Sequence, residues 1–505
     1  MRYNILIGGS AGQGINKISQ IVSEVLSDQG YYTFNYRDYP SLIRGGHNFN
    51  VLSISNKQIM STDSKFNIII ALDNTTKILH KKELEKGGVI LTGESFKDLG
   101  QNLNIALAGA LIKIIGISQE ILIRILKKHF NTPEAIEAAR LGFSNQENKW
   151  ELKKLKNKTT ILSGSKAVAL GAKKSKLDLY IAYPMTPATG VMHELAKIQD
   201  KKLMVFQAEN EIAVANIGLG SSFAGKRIMI GTSGGGFDLM GEALSLQGIS
   251  EIPLTVYLAS RPGPGTGIPT YTAQEDLNIA LYSGHGEFAR IVCAPGDTNE
   301  AIEKTNELLY LSEKYKALSI ILSDKHLAES EYAIKEKTKR ILPITIKRSI
   351  PRQKTTKASS YEINKFGNST EDPTISKLNI DRRNKKIDNI QLNLDKLKTT
   401  KIYGKKKSKN LIIGWGSTKG AIIDAIEDID AKFLQVLYLS PFPKEIETEL
   451  KKANKIVLIE NNVTGQLGEL IRQKTGIKIK YKILKYDGRP FYCNELNKQI
   501  KKILK

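Results

Sequence analysis

Cysteine is almost missing from this chain. Cys293 and Cys493 are the two in 505 residues. That is too few for a disulfide framework or for a four-thiolate iron–sulfur site. Long hydrophobic runs are missing too. No stretch reaches the roughly 20 apolar residues of a membrane-spanning helix. The opening Met1-Arg2-Tyr3-Asn4-Ile5-Leu6-Ile7-Gly8 runs straight into a strand and a glycine turn, without the cleavable pattern of a secretory signal. A cytoplasmic protein with no membrane partner is the expectation. Negative charge is also short: 51 acidic residues face 75 basic ones, a net charge of +24. Attraction to nucleic acid is electrostatically allowed. No aromatic platform or base-reading motif accompanies the charge, so no nucleic-acid partner is expected. The chain is heavy in Lys, Ile and Asn throughout. Much of the charge sits in runs such as Lys405-Lys406-Lys407 and near Lys498, Lys501, Lys502 and Lys505. Compositional drift with a solvated surface is the first explanation. Attraction to an acidic partner, such as an electron carrier, is the second.

The apolar content suffices for large cores, and the length suggests about three to four domains. Tyr3 to Ile7 reads as a buried strand, followed by the glycine loop Gly8 to Gly14. Ile15, Ile18, Ile21, Val22, Val25 and Leu26 then repeat at helical spacing. With strands at Ile68–Leu72 and Val89–Leu91, residues 1–145 form an α/β unit. The charged, amide-rich residues 146–160 read as a linker. Over residues 161–330, strands are expected at Leu177–Tyr180, Leu203–Phe206, Ile228–Ile230, Leu254–Leu258, Arg290–Val292 and Leu318–Leu322. Helical patterns between them imply a mainly parallel sheet. Residues 331–409 are polar and basic and read as an extended connector, partly ordered at best. A last α/β unit covers 410–505, with strands near Leu411–Ile413, Gln435–Leu439 and Lys455–Ile459.

Several loops follow these strands and carry polar chemistry. In Tyr183-Pro184-Met185-Thr186-Pro187, two prolines stiffen the backbone around Thr186. This is either a rigid strand-to-helix corner or a substrate contact. Glu211 opens a helix rich in small residues. It is either a favourable partner of the helix dipole or a catalytic carboxylate, with Glu209 as a competitor. Gly231-Thr232-Ser233-Gly234-Gly235-Gly236 is a close-approach loop for a ligand or another subunit. Arg261-Pro262-Gly263-Pro264-Gly265-Thr266-Gly267-Ile268-Pro269-Thr270 cannot be regular structure. Its arginine is placed to grip a carboxylate through two parallel hydrogen bonds. His285 is a polar loop residue or a neighbour of the site. Gly12 and Gly14, in the first glycine loop, serve a tight turn or an anionic contact at a helix start. A carboxylate, an arginine and threonine hydroxyls on strand-end loops of one sheet suggest a site for a small anion.

Together these segments resemble the α subunit of the 2-oxoacid:ferredoxin oxidoreductases, in the form with a γ domain fused at its N-terminus, and most closely the 2-oxoglutarate type. The family's Tyr-Pro-Ile-Thr-Pro loop is matched by Tyr183 to Pro187, with Met185 replacing isoleucine. Arg261-Pro262-Gly263-Pro264, Thr266-Gly267 and Pro269-Thr270 match a second loop, and Gly284-His285-Gly286-Glu287 follows. The N-terminal glycine loop and Arg44-Gly45-Gly46 resemble the γ domain. Gly414-x-Gly416-Ser417-Thr418, Pro441-Phe442-Pro443, Glu460-Asn461 and Gly465-Gln466-Leu467 resemble the domain that ends the α subunit. Two departures stand out. Gly235 occupies a position where the family has proline, and the connector after Pro351-Arg352 is eroded.

The resemblance implies a multidomain α/β fold: a γ-type domain over 1–145, a pyrimidine-type thiamine-diphosphate-binding domain over 161–330, and a transketolase-C-like domain over 410–505. It implies a subunit that works with a separate β subunit, in an αβ hetero-oligomer. That β subunit would hold the diphosphate, its Mg2+ and a 4Fe-4S cluster, consistent with two cysteines here. Coenzyme A would be the co-substrate, ferredoxin the electron acceptor and 2-oxoglutarate the acid, with pyruvate or other 2-oxoacids as the alternative. A non-catalytic basic or structural subunit is the remote alternative. Among residues, the resemblance implies Glu211 as the carboxylate that hydrogen-bonds the pyrimidine ring. It implies Thr186, Arg261 and Thr270 around the substrate. It implies Pro184 and Ser233 near the cofactor, and Gly12 and Gly14 as further cofactor candidates.

Overall fold

Most of the apolar runs flanked by loops become buried strands here. The computed structural model describes residues 1–40, 46–130, 132–335, 341–346, 348–351 and 356–505. Arg44, Gly45 and Arg352 of the sequence motifs lie outside the described residues. The described strands form three sheets of seven, seven and five strands. The chain divides into two compact units. Unit 1 is Met1–Ser163, Ser330–Lys337 and Phe491–Lys498; unit 2 is Gly164–Glu329, Thr338–Pro490 and Gln499–Lys505.

Unit 1 holds a mixed sheet. Arg2–Ser10 pairs in parallel with Phe66–Ala71, which pairs in parallel with Leu84–Thr92. On its other side Arg2–Ser10 meets His47–Ser55 antiparallel, and His47–Ser55 meets Tyr32–Asp38 antiparallel. Glu331–Ile334 and Thr160–Ser163 complete that side. The strands Tyr32–Asp38 and His47–Ser55 carry buried polar residues. The Ser53 hydroxyl donates to Asn4 Oδ1 at 2.5 Å, and Asn50 Nδ2 donates to Ser19 Oγ at 3.0 Å. Bonded in this way, such groups can be buried without the full desolvation penalty. The helix Ile15–Asp28 buries the predicted stripe Ile15, Ile18, Ile21, Val22, Val25 and Leu26. Residues 146–160 contain no helix and end in a strand beginning at Thr160. They lie extended on this unit: Trp150 packs on Tyr3 at 5.6 Å, and the Leu155 amide donates to the Gln29 carbonyl at 2.8 Å.

Unit 2 carries the other two sheets. The first runs in the order Tyr438–Ser440, Arg290–Cys293, Leu318–Asp324, Leu254–Ser260, Ile228–Thr232, Leu179–Ala182, Met204–Gln207. Six of these strands are mutually parallel. Tyr438–Ser440 adds antiparallel at one edge. The five-stranded sheet has Thr400–Gly404 antiparallel at its edge, followed by Lys432–Val436, Asn410–Trp415, Lys455–Glu460 and Tyr481–Leu484 in parallel. One continuous apolar core contains Val256, Ile320 and Leu322 of the first of these sheets and Ile413, Leu434 and Val436 of the second.

The stretch expected to be an extended connector is ordered in part. Pro373–Leu394 forms a helix of 22 residues. Asp372 caps it by accepting the Ile375 N–H at 2.9 Å, and Pro373 sits in its first turn. Its apolar residues do not make one stripe: Ile390 and Leu394 are buried, while Leu378 and Leu392 are exposed.

Buried charge fastens the five-stranded sheet to the helix Thr298–Tyr315. Glu300 accepts from Lys419 Nζ at 2.6 Å, Lys401 Nζ at 2.7 Å, Gln435 Nε2 at 2.7 Å and the Gly296 amide at 2.8 Å. Lys419 also donates to Asp297 Oδ2 at 2.5 Å. Burial opposes the Glu300 charge, yet Lys419 and Lys401 hold its carboxyl well below the usual carboxylate range.

Candidate functional site

The carboxyl edge of the seven-stranded sheet in unit 2 gathers most of the predicted residues. Leu179–Ala182 leads into Tyr183 to Pro187, Met204–Gln207 leads to Glu211, Ile228–Thr232 ends at Ser233, and Leu254–Ser260 ends at Arg261. The order of the strands reverses at this point. After Leu179–Ala182 the chain adds Met204–Gln207 on one side, then Ile228–Thr232 on the other. Outside the strand ends at such a switch point lies the crevice where open α/β sheets bind ligands.

Glu211 is the first residue of the helix Glu211–Phe223, whose cap is Asn210, accepting the Ala213 N–H at 2.9 Å. Glu211 is buried at 7% exposure, whereas Glu209 is exposed. The small residues of this helix serve packing on the sheet. A Cβ on Gly218 would come within 2.9 Å of Ile230. Gly236 marks where three loops meet. A Cβ there would lie 2.7 Å from Glu211 Cγ, 2.7 Å from Met185 Sδ and 2.3 Å from Thr232 Oγ1.

Arg261 reaches into the same place. Its Nη1 donates to the Thr186 carbonyl at 2.8 Å. Thr186 is thus contacted through its backbone, which leaves its half-buried hydroxyl available for other contacts. A guanidinium has five N–H donors, so others remain for a ligand. Burial lowers the Arg261 pKa, and the carboxylates of Asp276 and Glu211 oppose that shift. Asp276 carries no role in the sequence reading, and the structure adds it to the site. It lies against Gly234, where a Cβ would meet its Oδ1 at 2.6 Å. Burial pushes its carboxyl up to about 6. A carboxylate beside a Pro- and Gly-rich loop has no periodic signature, so no sequence signal pointed to it. Ser233 Oγ and Asp276 Oδ2 are buried without a hydrogen-bond partner among the described residues. Buried polar atoms are rarely left in that state. Thr270 is buried and Pro184 is exposed. The Thr186-Pro187 and Gly263-Pro264 peptide bonds are cis.

The C-terminal motifs clamp the loop that carries Arg261 and Thr270. Gln274 Nε2 donates to the Trp415 carbonyl at 2.8 Å, and Gln274 Oε1 accepts from the Asn461 amide at 3.0 Å. Asn462 Nδ2 donates to the Gln274 carbonyl at 3.0 Å, and Gln466 Nε2 to the Glu275 carbonyl at 2.8 Å. Glu460 organises the clamp by accepting from Trp415 Nε1 at 3.0 Å and Asn462 Nδ2 at 2.9 Å.

Two predicted groups lie apart from this edge. His285 sits on the loop before Arg290–Cys293, at the amino edge of the sheet, where its backbone N–H donates to Ser245 Oγ at 2.8 Å. Gly12 and Gly14 belong to unit 1 and have φ of 91° and 80°, in the region that favours glycine. Asp73 stands at that loop and accepts from Ser10 Oγ at 2.9 Å. Its carboxylate disfavours an anion there.

Comparison with known proteins follows the same division. Residues 170–393 match the family model described as pyruvate flavodoxin/ferredoxin oxidoreductase, thiamine diphosphate-binding. Residues 4–100 match the model described as pyruvate ferredoxin/flavodoxin oxidoreductase. The 2-oxoacid:ferredoxin oxidoreductase subunit alpha of a Sulfolobus species is 29% identical, over 100% of this chain and 97% of its own. The 2-oxoglutarate oxidoreductase subunit KorA of Mycobacterium tuberculosis is 30% identical over 68% of this chain and 57% of its own. Among solved structures, the 2-oxoglutarate:ferredoxin oxidoreductase from Magnetococcus marinus, with 2-oxoglutarate, coenzyme A and succinyl-CoA bound, superposes with a TM-score of 0.89 and 25% identity, covering 100% of both chains. Full-length similarity, both family models and the shared fold agree: this chain belongs to the 2-oxoacid:ferredoxin oxidoreductase family, as a subunit of the alpha type.

Proposed function

We propose that this chain takes part in the oxidative decarboxylation of 2-oxoglutarate: with coenzyme A and two oxidised ferredoxins it gives succinyl-CoA, CO2, a proton and two reduced ferredoxins. The observation that carries the proposal is the buried Glu211 at the strand-order reversal, against Gly236 and within the electrostatic reach of Arg261. The residues present fit thiamine diphosphate. Gly234 and Gly236 let Asp276, Glu211 and Met185 close in on one place, and Ser233 Oγ is a buried hydroxyl with no bond among the described residues. When bound, thiamine diphosphate supplies an electron sink for decarboxylation of a 2-oxo acid.

The chain's own groups then take these roles. Glu211 hydrogen-bonds the pyrimidine ring nitrogen and controls the proton there. Arg261 and Thr270 hold the substrate carboxylate, and the Thr186 hydroxyl orients the keto acid. Pro184 and Ser233 line the cofactor side. A missing bidentate arginine contact costs roughly 2–4 kcal/mol, from the strength of charge-assisted hydrogen bonds. Residues 1–145 act as the γ-type domain, with Gly12 and Gly14 in a tight turn. Residues 161–330 act as the pyrimidine-type domain and 410–505 as the transketolase-C-like domain. A β subunit holds the diphosphate, Mg2+ and a 4Fe-4S cluster, and the complex works in the cytoplasm as an αβ hetero-oligomer. Among the described residues no helix is long and apolar enough to cross a membrane, and no His/Cys/Asp/Glu group fits a metal ion.

Pyruvate is the second reading, because both matching models carry it in their descriptions. The test is 2-oxoacid- and CoA-dependent reduction of a low-potential dye, by the chain co-expressed anaerobically with its β partner. Turnover of 2-oxoglutarate that vanishes in Glu211→Gln supports the proposal. Turnover mainly of pyruvate moves the substrate and keeps the reaction class. No turnover by a fully loaded complex makes the chain a structural subunit.

A further inference from the structure

The opposite edge of the same sheet carries a bowl of about 730 Å³, framed by the segments before Leu179, Met204 and Ile228. Six cationic side chains line it: Lys173, Lys176, Lys201, Lys202, Lys226 and Arg227. Two carboxylates accompany them, Asp178 and Asp200. That is three to one, where the whole chain has 75 basic to 51 acidic residues. The bowl is therefore moderately richer in cations than the chain as a whole.

Both carboxylates are committed to the backbone. Asp178 Oδ2 accepts the Arg227 N–H at 2.7 Å. Asp200 Oδ1 accepts the amides of Lys202 at 2.8 Å and Leu203 at 3.0 Å, and these bonds hold its carboxyl below the ordinary value. Arg227 is a fixed part of the wall. Its Nη1 donates to the carbonyls of Ser175 at 2.9 Å and Lys176 at 2.6 Å, and its Nη2 to that of Ile344 at 3.1 Å. The five lysines make no ion pair with the described residues. Asp178 and Asp200 offset part of this charge, and the remaining positive excess favours a further anion.

Lys176 follows the helix Gly164–Lys174 with φ of 56°, the left-handed closing conformation that Glu251 and Lys316 also adopt after their helices.

We infer that this bowl is a second ligand site, for a small anion carrying two or more adjoining phosphate groups. Its volume lies in the range of small-molecule pockets, roughly 300–1,000 Å³. A protein partner would instead need a broad face of about 800 Å². Ammonium groups are compact point charges suited to clustered phosphate oxygens. The site lies across the sheet from Glu211 and Arg261, so its ligand is distinct from the 2-oxoacid.

Titration calorimetry of the full chain in buffered salt of about 0.15 M tests this, with inorganic tripolyphosphate as the probe and monophosphate as the control. Tripolyphosphate is expected to bind at least about tenfold more tightly than monophosphate. Lys176→Gly is expected to weaken it about fivefold, the scale of one exposed charge contact. The ligand-free melting temperature of that variant should hold or rise, because glycine relieves the backbone. Lys201→Gln with Lys202→Gln should weaken binding about twentyfold. Equal affinity for the two phosphates, or unchanged binding in the combined triple variant, overturns the site. A polyglutamate peptide that binds more tightly than tripolyphosphate through the same lysines overturns the ligand class.

Discussion

Two of the places where unit 2 buries charge differ in how completely it is satisfied. Around Glu300 each charged group has a partner at 2.5–2.8 Å, and the carboxylate accepts four hydrogen bonds. Around Glu211, Arg261 and Asp276, buried polar atoms stay unbonded among the described residues, and the Asp276 carboxyl is pushed up rather than down. The first arrangement is closed and holds two layers together. The second is open, as a site awaiting a ligand should be. The two charged clusters differ in hydrogen-bond saturation more than in burial.

Exchanging neutral isosteres between these places sharpens the contrast. The largest effect is expected from Glu211→Gln: activity falls about 10²–10⁴-fold, as for loss of a proton-transfer group, while the melting temperature stays near that of the unaltered chain. Steady-state kinetics and calorimetry on one preparation check both halves. Glu300→Gln should do the reverse. It leaves Lys401 and Lys419 buried with less compensation, which costs about 3–5 kcal/mol of stability, while turnover per folded molecule holds. Because the Glu300 carboxyl is held below its ordinary value, its stabilisation is present above about pH 4.5 and is lost as the pH falls. Denaturant titration at several pH values reads this. Were both variants to lose stability equally, the distinction between open and closed sites would collapse.

A smaller change comes from Arg261→Lys. A point charge replaces the planar fork, and kcat/KM for 2-oxoglutarate should fall by about 2 kcal/mol, roughly 30-fold. A gain in stability is expected from Asp276→Asn. The folded carboxyl titrates near 6 against an ordinary value of 3.8. The folded chain therefore holds the proton more tightly, and this stabilisation is full below about pH 4 and gone above about pH 6. The asparagine variant should be more stable by up to about 3 kcal/mol at pH 7.5, with the gain shrinking to nothing near pH 4. A gain independent of pH would rule out titration of Asp276 as its origin.

The parallel sheet of unit 2 was legible because each strand is a short apolar run ending in a glycine or proline loop, and burial on both faces demands such runs. Tyr32–Asp38 and His47–Ser55 were missed because their Asn and Ser side chains are buried through mutual hydrogen bonds, which erases the apolar signal. The helix Pro373–Leu394 was missed because its apolar residues do not share one face, although Asp372-Pro373 is a start signal. Arg261 and the Thr186 loop could be singled out as residue types in stiff loops, and Glu211 as a carboxylate at a helix start. Asp276 and the Gln274–Asn461 clamp could not, since their partners lie far away along the chain and meet them only in the fold.

Tyr438–Ser440 leaves the five-stranded sheet's neighbourhood and completes the edge of the seven-stranded one, beside Arg290–Cys293. A fragment ending at residue 409 would present Arg290–Cys293 as an unpaired ribbon of backbone donors and acceptors, a template for strand addition between molecules. The five-stranded sheet already begins at Thr400, so residue 410 is a poor place to divide the gene. Halves made there should be soluble when produced together and aggregate when produced apart.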